Sequence, residues 1–434
     1  VAIVTDDQGQ WAVGAYGNQD IHTPHTDRLA REGALFTNAF VGTPVCSPSR
    51  ASYFSGRWPT QLGITDYLTP SEGDEGLGIR APTWPALLQA AGYRTALVGK
   101  WHLGTRPEFH PTRHGFDTFV GFLGGGNTPM DPTLEIDGRE QRLAGPLPDL
   151  LTTHAIDFMR ANKSRPFLLC LHFRAPHLPY GPVPDEDRAH YAHTDPQVPS
   201  ARGLDPDDVK RETLAYYASI SSVDRNLGRL LAALDEMKLS DNTLVLFTSD
   251  HGYNLGRHLV DTKGNAHWMA GGIRGPKRPN MWDTSLRVPL LMRWPRVIAA
   301  GARIDEVVTN LDMYRTMAAV AGAELPADCQ ADGLDFSPAL RGAPLPPRDA
   351  IFGQYDLHND GLAYMRMIRT PRYKLVRFLK ARQLDELYDL ERDPDEAHNL
   401  LRGRDAPQVQ QIRHELAERL EQWQRSIGDP LAGE

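Results

Sequence analysis

Short apolar runs that end in polar clusters alternate along this chain with longer segments whose apolar residues recur at helical spacing. Val1 to Thr5 reads as a buried strand that stops at Asp6-Asp7. Thr26 to Gly33 predicts a helix with Thr26 as its N-cap. Ser47 to Ser55 predicts a short helix closed by Gly56, and Thr83 to Ala91 a helix stopped by Gly92 before a strand over Arg94 to Val98. Leu134 to Gly138 predicts a hairpin with an Asp-Gly turn. Asp207 to Lys238 has the pattern of a long helix, Thr243 to Phe247 and Val288 to Met292 of buried strands, and Leu311 to Ala321 of another helix.

Apolar strands joined by helices predict an α/β fold, a large and mostly parallel mixed sheet sandwiched by helices. Sites in such sheets gather at the carboxyl ends of the strands. Asp6-Asp7, Asp250-His251 and Gly99-Lys100-Trp101-His102 each follow a strand directly, so three polar clusters can meet at one edge of the sheet. Ala343 to Arg348 is a proline-rich joint. It divides the chain into an expected catalytic unit, 1–345, and a C-terminal α+β subdomain, 346–434. In the latter, Ala350 to Phe352, Tyr364 to Ile368, Tyr373 to Phe378 and Glu386 to Tyr388 read as short antiparallel strands, and Pro407 to Arg425 as a closing helix.

With 434 residues the chain can bury a large core. Its net charge of −8 argues against nucleic-acid binding, so an anionic substrate has to be caught by local cations. Three cysteines make no disulfide framework, and Cys170, inside an apolar run, reads as a buried inert thiol. No run is long and apolar enough to be a transmembrane segment. The chain opens inside an expected strand, which points to a native N-terminus further upstream. A cleaved leader, with a periplasmic or secreted location, fits that reading, and a cytoplasmic location stays open.

The candidate chemistry starts at Cys46-Ser47-Pro48-Ser49-Arg50, a Cys-x-Pro-x-Arg pattern. Adjacent aspartates such as Asp6 and Asp7 are more often a solvated turn than a metal site. A second acidic strand end, at Asp250, shifts the balance toward a divalent cation held by carboxylates. Together with Val98 to Gly104, Ala175 to Pro179, Asp250 to Lys263 and the stretch Leu387 to Pro394, these segments resemble the type I, formylglycine-dependent sulfatase family of the alkaline phosphatase superfamily, over nearly the whole chain.

The resemblance implies an alkaline-phosphatase-like core and hydrolysis of an organic sulfate ester, with a carbohydrate sulfate ahead of an aryl sulfate. It implies that a formylglycine-generating enzyme oxidises Cys46 to Cα-formylglycine, whose hydrate is the nucleophile. Asp6, Asp7, Asp250, His251 and the modified Cys46 then bind the cation. Calcium is the first expectation, and the nitrogen of His251, at a position that is Asn in many sulfatases, also suits magnesium or manganese. Arg50 is expected to hold the formylglycine, Lys100 a sulfate oxygen, His102 to act as the base, and His177 to protonate the leaving oxygen. Lys263 is the second sulfate-binding lysine, with Lys277 as its competitor. The insertion 264–281 reads equally as a surface loop or as a wall of the substrate cleft. His172, His110 and His114 are taken as structural.

Three carboxylates against a dication and three cationic side chains leave such a site net positive. That suits a sulfate monoanion, and equally a phosphate diester or phosphonate monoester. A phosphonate monoester hydrolase or phosphodiesterase of the same superfamily is therefore the alternative function. A binding protein whose Cys46 stays a thiol is a third reading.

Overall fold

The computed structural model describes residues 1–70, 76, 81–270, 273–403 and 406–434. Ten strands form the main sheet. From edge to edge they are Ala302–Ile304, Ala34–Phe36, Leu290–Arg293, Val245–Ser249, Ala2–Asp6, Phe167–Pro176, Arg94–Lys100, Thr118–Phe122, Thr133–Ile136 and Arg139–Arg142. The four central strands Val245–Ser249, Ala2–Asp6, Phe167–Pro176 and Arg94–Lys100 pair in parallel. Leu290–Arg293 runs antiparallel to both neighbours, and the far edge ends in the hairpin turned by Asp137-Gly138.

Strand side chains alternate between two faces, so each face collects its own core. Ala2, Val4, Leu168, Cys170 and Leu246 pack with Trp84 and Leu88 of helix Trp84–Ala90 and with Met313 and Met317 of helix Met313–Ala321. Ile3, Leu169, Leu171, Val245 and Phe247 pack with Leu151 of helix Leu147–Asn162 and with Leu227, Leu230 and Leu234 of helix Pro206–Glu236. The Cys170 thiol lies in the first core with its pKa raised by burial, as an inert thiol should be.

Beyond the proline-rich joint, strands Ile351–Leu357, Ala363–Arg369, Tyr373–Phe378 and Glu386–Asp389 form a sequential antiparallel meander, followed by helix Pro407–Ser426. Leu416, Leu420 and Trp423 of that helix pack on Ile368, Leu375 and Leu387.

One expectation changes. The first long helix is Pro24–Glu32, and its N-cap is Thr23 rather than Thr26. Pro24 presets the first helical turn, and Thr26 inside that turn is committed elsewhere. Its N–H and hydroxyl both donate to Asp224 Oδ1, at 2.7 and 2.6 Å. The insertion 264–281, expected as a surface loop or a wall of the cleft, holds a hairpin of His267–Ala270 and Ile273–Lys277. Among the described residues, no helix is long and apolar enough to cross a membrane.

Candidate active site

The three polar clusters do meet at one edge of the sheet. Ala2–Asp6 and Val245–Ser249 run side by side, which puts Asp6-Asp7 next to Asp250-His251. Asp7 takes a left-handed backbone, φ 71°, so the chain turns instead of continuing the strand. Both aspartate carboxylates thereby reach one centre, and the Asp7 N–H donates to Asp250 Oδ1 at 3.3 Å. His102 also has a left-handed backbone, φ 59°. A non-glycine residue held there is strained, a cost often found at working sites.

Cys46 is the first residue of helix Cys46–Ser55, whose ten side chains are all buried. The preceding Val45 is extended and supplies no side-chain cap, so the helix N-terminus lies at Cys46 itself. Cys46 Sγ lies 3.5 Å from Asp6 Oδ1, 3.4 Å from His251 Nε2 and 3.0 Å from Lys263 Nζ. Burial and Asp6 raise the thiol's pKa, but Lys100, Lys263 and the His251 contact pull it down more strongly, to about 6.

Lys100 Nζ is 2.5 Å from Asp6 Oδ2, and Lys263 Nζ is 2.6 Å from Asp7 Oδ1. Despite burial, these lysines and neighbouring cations hold Asp6 well below, and Asp7 below, the usual carboxylate range. Arg50 reaches Asp250 Oδ2 through Nε (3.0 Å) and Nη2 (2.9 Å), so it braces a carboxylate rather than touching the Cys46 thiol directly. Its Nη1 lies 3.2 Å from His172 Nδ1, which places His172 behind Arg50 as a supporting group. His110 pairs with Glu135 away from the cluster, and His114 is buried near Trp101.

His251 Nδ1 lies 3.0 Å from the carbonyl of Gly252, so Nδ1 carries the proton of the neutral ring. Its Nε2 then faces Asp7 Oδ1 (3.2 Å), Asp250 Oδ1 (3.4 Å) and Asp6 Oδ1 (3.9 Å). The fit to a cation follows from this donor set. Ligand atoms of Asp6, Cys46, Asp250 and His251 lie within 4.8 Å of one another, as do those of Asp6, Asp7, Cys46 and His177. Burial and Asp6 together push the Asp250 carboxyl up to about 6. Burial lowers the His251 pKa, but Asp250 and the Cys46 contact together raise the ring to about 9. The concentrated negative charge that raises Asp250 and His251 suits a hard cation, and the oxygen-rich donor set fits a divalent ion.

His177 stands at the open side, its side chain 29% exposed, with Nε2 3.9 Å from Asp7 Oδ2 and Nδ1 2.7 Å from the Leu178 carbonyl. Its pKa is lowered, first by burial and then by Lys263, against the pull of Asp7. His102 Nε2 meets the Leu68 carbonyl at 3.0 Å, and burial and Lys100 keep the ring neutral, well below the ordinary histidine pKa. Lys277 stays off the cluster, its Nζ on the Asn265 carbonyl at 3.1 Å.

Several supporting residues carry no sequence signal. Asn280 donates to the Lys263 carbonyl (2.8 Å) and accepts from Ser285 (2.7 Å), which steadies the lysine from below. Asn310 donates to Ser49 Oγ at 3.1 Å, and Ser49 in turn donates to the Asp250 carbonyl. Tyr216 donates to the Asp7 carbonyl at 2.6 Å from the long helix. Asparagine, serine and tyrosine are common everywhere, and only the fold brings these to the site.

Residues 1–323 match the Sulfatase family model, and residues 276–426 match the model of the N-sulphoglucosamine sulphohydrolase C-terminal region. Rat steryl-sulfatase is 31% identical, over 78% of this chain and 70% of its own length. An N-acetylglucosamine-6-O-sulfatase from Bacteroides thetaiotaomicron is 27% identical, over 99% of this chain and 86% of its own. A solved structure described as BT4656 in complex with its substrate D-glucosamine-2-N,6-O-disulfate superimposes with a TM-score of 0.84 at 25% identity, covering 100% of this chain and 99% of that one. The order of motifs, the strand-end cluster around Cys46 and these matches lead to one assignment: the chain belongs to the sulfatase family of the alkaline phosphatase superfamily and is a sulfuric ester hydrolase.

Proposed function

We propose that the enzyme removes sulfate from a carbohydrate, with Cys46 converted to Cα-formylglycine and calcium, or else magnesium or manganese, held by Asp6, Asp7, Asp250, His251 and residue 46. Family membership implies a divalent cation and a formylglycine, and the described residues include a cysteine and carboxylates able to hold such an ion. When present, the cation supplies a Lewis acid for the sulfate oxygens, and the hydrated aldehyde an oxygen nucleophile that regenerates itself.

The chain's own residues do the rest. Lys100 and Lys263, both buried beside Cys46, meet the sulfate oxygens and offset charge that develops there. Arg50 keeps Asp250 in place. His102, neutral and buried, receives a proton from the group at position 46. His177 gives a proton from Nε2 to the leaving oxygen. Its Nδ1 already donates to Leu178, so the acid form is the imidazolium, which a bound anionic ester favours. The unit that does this is 1–345, with 346–434 as a subdomain. In support, the last strand of the main sheet ends at Ile304 and the meander lies wholly beyond the proline-rich joint.

The convergence of two lysines, two strand-end acidic clusters and a helix N-terminus on Cys46 carries the catalytic reading. Support for a sugar comes from the Bacteroides relative and from the disulfated glucosamine in the similar solved structure. The test uses protein co-expressed with a formylglycine-generating enzyme, its intact mass showing that CH2SH has become CHO at residue 46. Sulfate release is then compared on N-acetylglucosamine 6-sulfate, a steryl sulfate and a phosphonate monoester, before and after exhaustive chelation. The sugar sulfate is expected to be preferred and activity to return with a divalent ion. Converted protein that cleaves only the steryl or phosphonate ester ends the carbohydrate reading.

A further inference from the structure

We propose that Asp66 is a positioning residue that sets His102 for proton transfer and, through it, couples the C-terminal sheet to the chemistry. The proposal rests on the base role given to His102 above.

Asp66 is 1% exposed and sits in a segment, 64–68, that belongs to no helix or strand. Its Oδ1 accepts from the Tyr355 hydroxyl (2.9 Å) and the Tyr67 N–H (2.8 Å). Its Oδ2 accepts from the N–H groups of His358 and Asn359, both at 2.9 Å. Tyr355 lies on strand Ile351–Leu357, and His358 and Asn359 follow directly in the turn to strand Ala363–Arg369. Asn359 closes the loop from the other side: its Nδ2 donates to the Tyr67 carbonyl at 2.8 Å. A buried carboxylate loses much hydration, and hydrogen bonds from fixed donors offset the cost. Here those donors come from the C-terminal sheet and the segment's own backbone.

What this clamp fixes is Leu68, and both main-chain groups of Leu68 point at catalytic parts. Its N–H donates to Ser47 Oγ at 3.0 Å, next to Cys46 on the nucleophile helix. Its carbonyl faces His102 Nε2 at 3.0 Å. A carbonyl only accepts, so Nε2 carries the proton of the neutral ring. Nδ1 is left as the proton acceptor, and it is buried without a partner among the described residues. The other constraints on His102 do not choose the tautomer. Its backbone N–H donates to the Leu123 carbonyl, and Gly125 lies so close that an added Cβ would stand 2.5 Å from Nε2. If Leu68 shifts, the ring loses the bond that holds Nε2–H and keeps Nδ1 free. A base in the wrong tautomer cannot take the proton, although substrate still binds.

The test is a double-mutant cycle on the converted, metal-loaded enzyme, read as kcat and KM separately on one sulfate ester. His102→Ala is expected to lower kcat by about 10²- to 10⁴-fold. Asp66→Ala is expected to lower kcat by about 10- to 100-fold, the range for a group that orients a ligand or base through another, with KM within about 3-fold. Asp66→Asn keeps one acceptor oxygen and should fall between Asp66→Ala and the parent. In the His102→Ala background, Asp66→Ala should leave kcat unchanged, because the residue it acts through is gone. Should Asp66→Ala fail to fold, Asn359→Ala removes the bond to the Tyr67 carbonyl while leaving Asp66 itself in place, and should show the same pattern at smaller size. Losses that multiply across the cycle, or a loss confined to KM, overturn the proposal while leaving His102 as the base. A His102→Ala enzyme with parental kcat overturns the base role, and the proposal with it.

Discussion

The thiol of Cys46 lies between opposed fields: burial and Asp6 resist its ionisation, while Lys100, Lys263 and the His251 contact favour it. The same cations and the helix N-terminus would stabilise any oxygen nucleophile at this position, so the environment is tuned to an anion at residue 46 and not to sulfur as such. Cys46→Ala is expected to abolish sulfate release, by at least about 10⁴-fold. Its melting temperature should stay near the parent's, because one buried Sγ is lost and the ten-residue helix persists. Substantial turnover by this variant would remove residue 46 from the mechanism. His177 makes a different prediction. Protonation matters most when the leaving oxygen is a strong base. His177→Ala should therefore cost about 10²- to 10⁴-fold on a sugar sulfate and far less on a nitrophenyl sulfate. Equal losses on both would mean that His177 only positions the sulfate.

At the scale of elements, the site depends on short pieces that hold one another. Helix Cys46–Ser55 ends at Gly56, whose φ of 66° is comfortable only for glycine. The hairpin His267–Ala270 and Ile273–Lys277 returns the chain so that Arg278 N–H bonds the Ala266 carbonyl and Asn280 N–H the Gly264 carbonyl, at 2.7 and 3.0 Å. Asn280 is wholly buried in this return and ties Lys263 to Ser285. Asn280→Ala should loosen Lys263 without removing it, raising KM for the sulfate ester more than it lowers kcat. Loss of these buried bonds should also cost about 1–3 kcal/mol of stability, measurable by urea unfolding. A variant with parental KM would show that Lys263 is held without its help.

Across the whole molecule, buried ion networks join the two sheets' regions. Lys374, fully buried, meets Asp283 at 2.9 Å and Glu396 at 2.7 Å, and Arg369 also reaches Asp283 at 2.9 Å. Acid should weaken the fold through buried histidines as well. His114 is 2% exposed, and burial, with His110 adding to it, lowers its pKa to about 4. Between about pH 4 and the unfolded value of about 6.5, the unfolded chain binds the proton that the folded chain refuses. Stability is thus complete above about pH 6.5 and is lost as pH falls toward 4. This group alone accounts for about 3 kcal/mol by linkage. His114→Phe keeps an aromatic ring near Trp101 and cannot charge, so its unfolding free energy should fall less over that interval. An unchanged acid slope would place the titration elsewhere.

The chain's alternation of apolar runs and helical spacings determined the α/β architecture, because a period of two or of 3.6 residues is a local property that survives in sequence. The strand-end pattern pointed to Asp6, Asp7, Lys100, His102, Asp250 and His251, and the resemblance to a known family added Cys46, Arg50, His177 and Lys263; the structure brings them to or beside one centre. Lys263 was separable from Lys277 only in three dimensions, because both are plain lysines near matching segments, and hairpin geometry alone puts one on Asp7 and the other on Asn265. The N-cap at Thr23 was obscured by a nearby threonine equally suited by type, whose hydroxyl is claimed by Asp224 nearly two hundred residues away. Asn280, Asn310, Tyr216 and Asp66 were invisible for the same reason. A hydrogen bond to a backbone carbonyl or N–H asks for any polar side chain at the right place, and that place exists only once the sheet, the hairpin and the C-terminal meander have packed together.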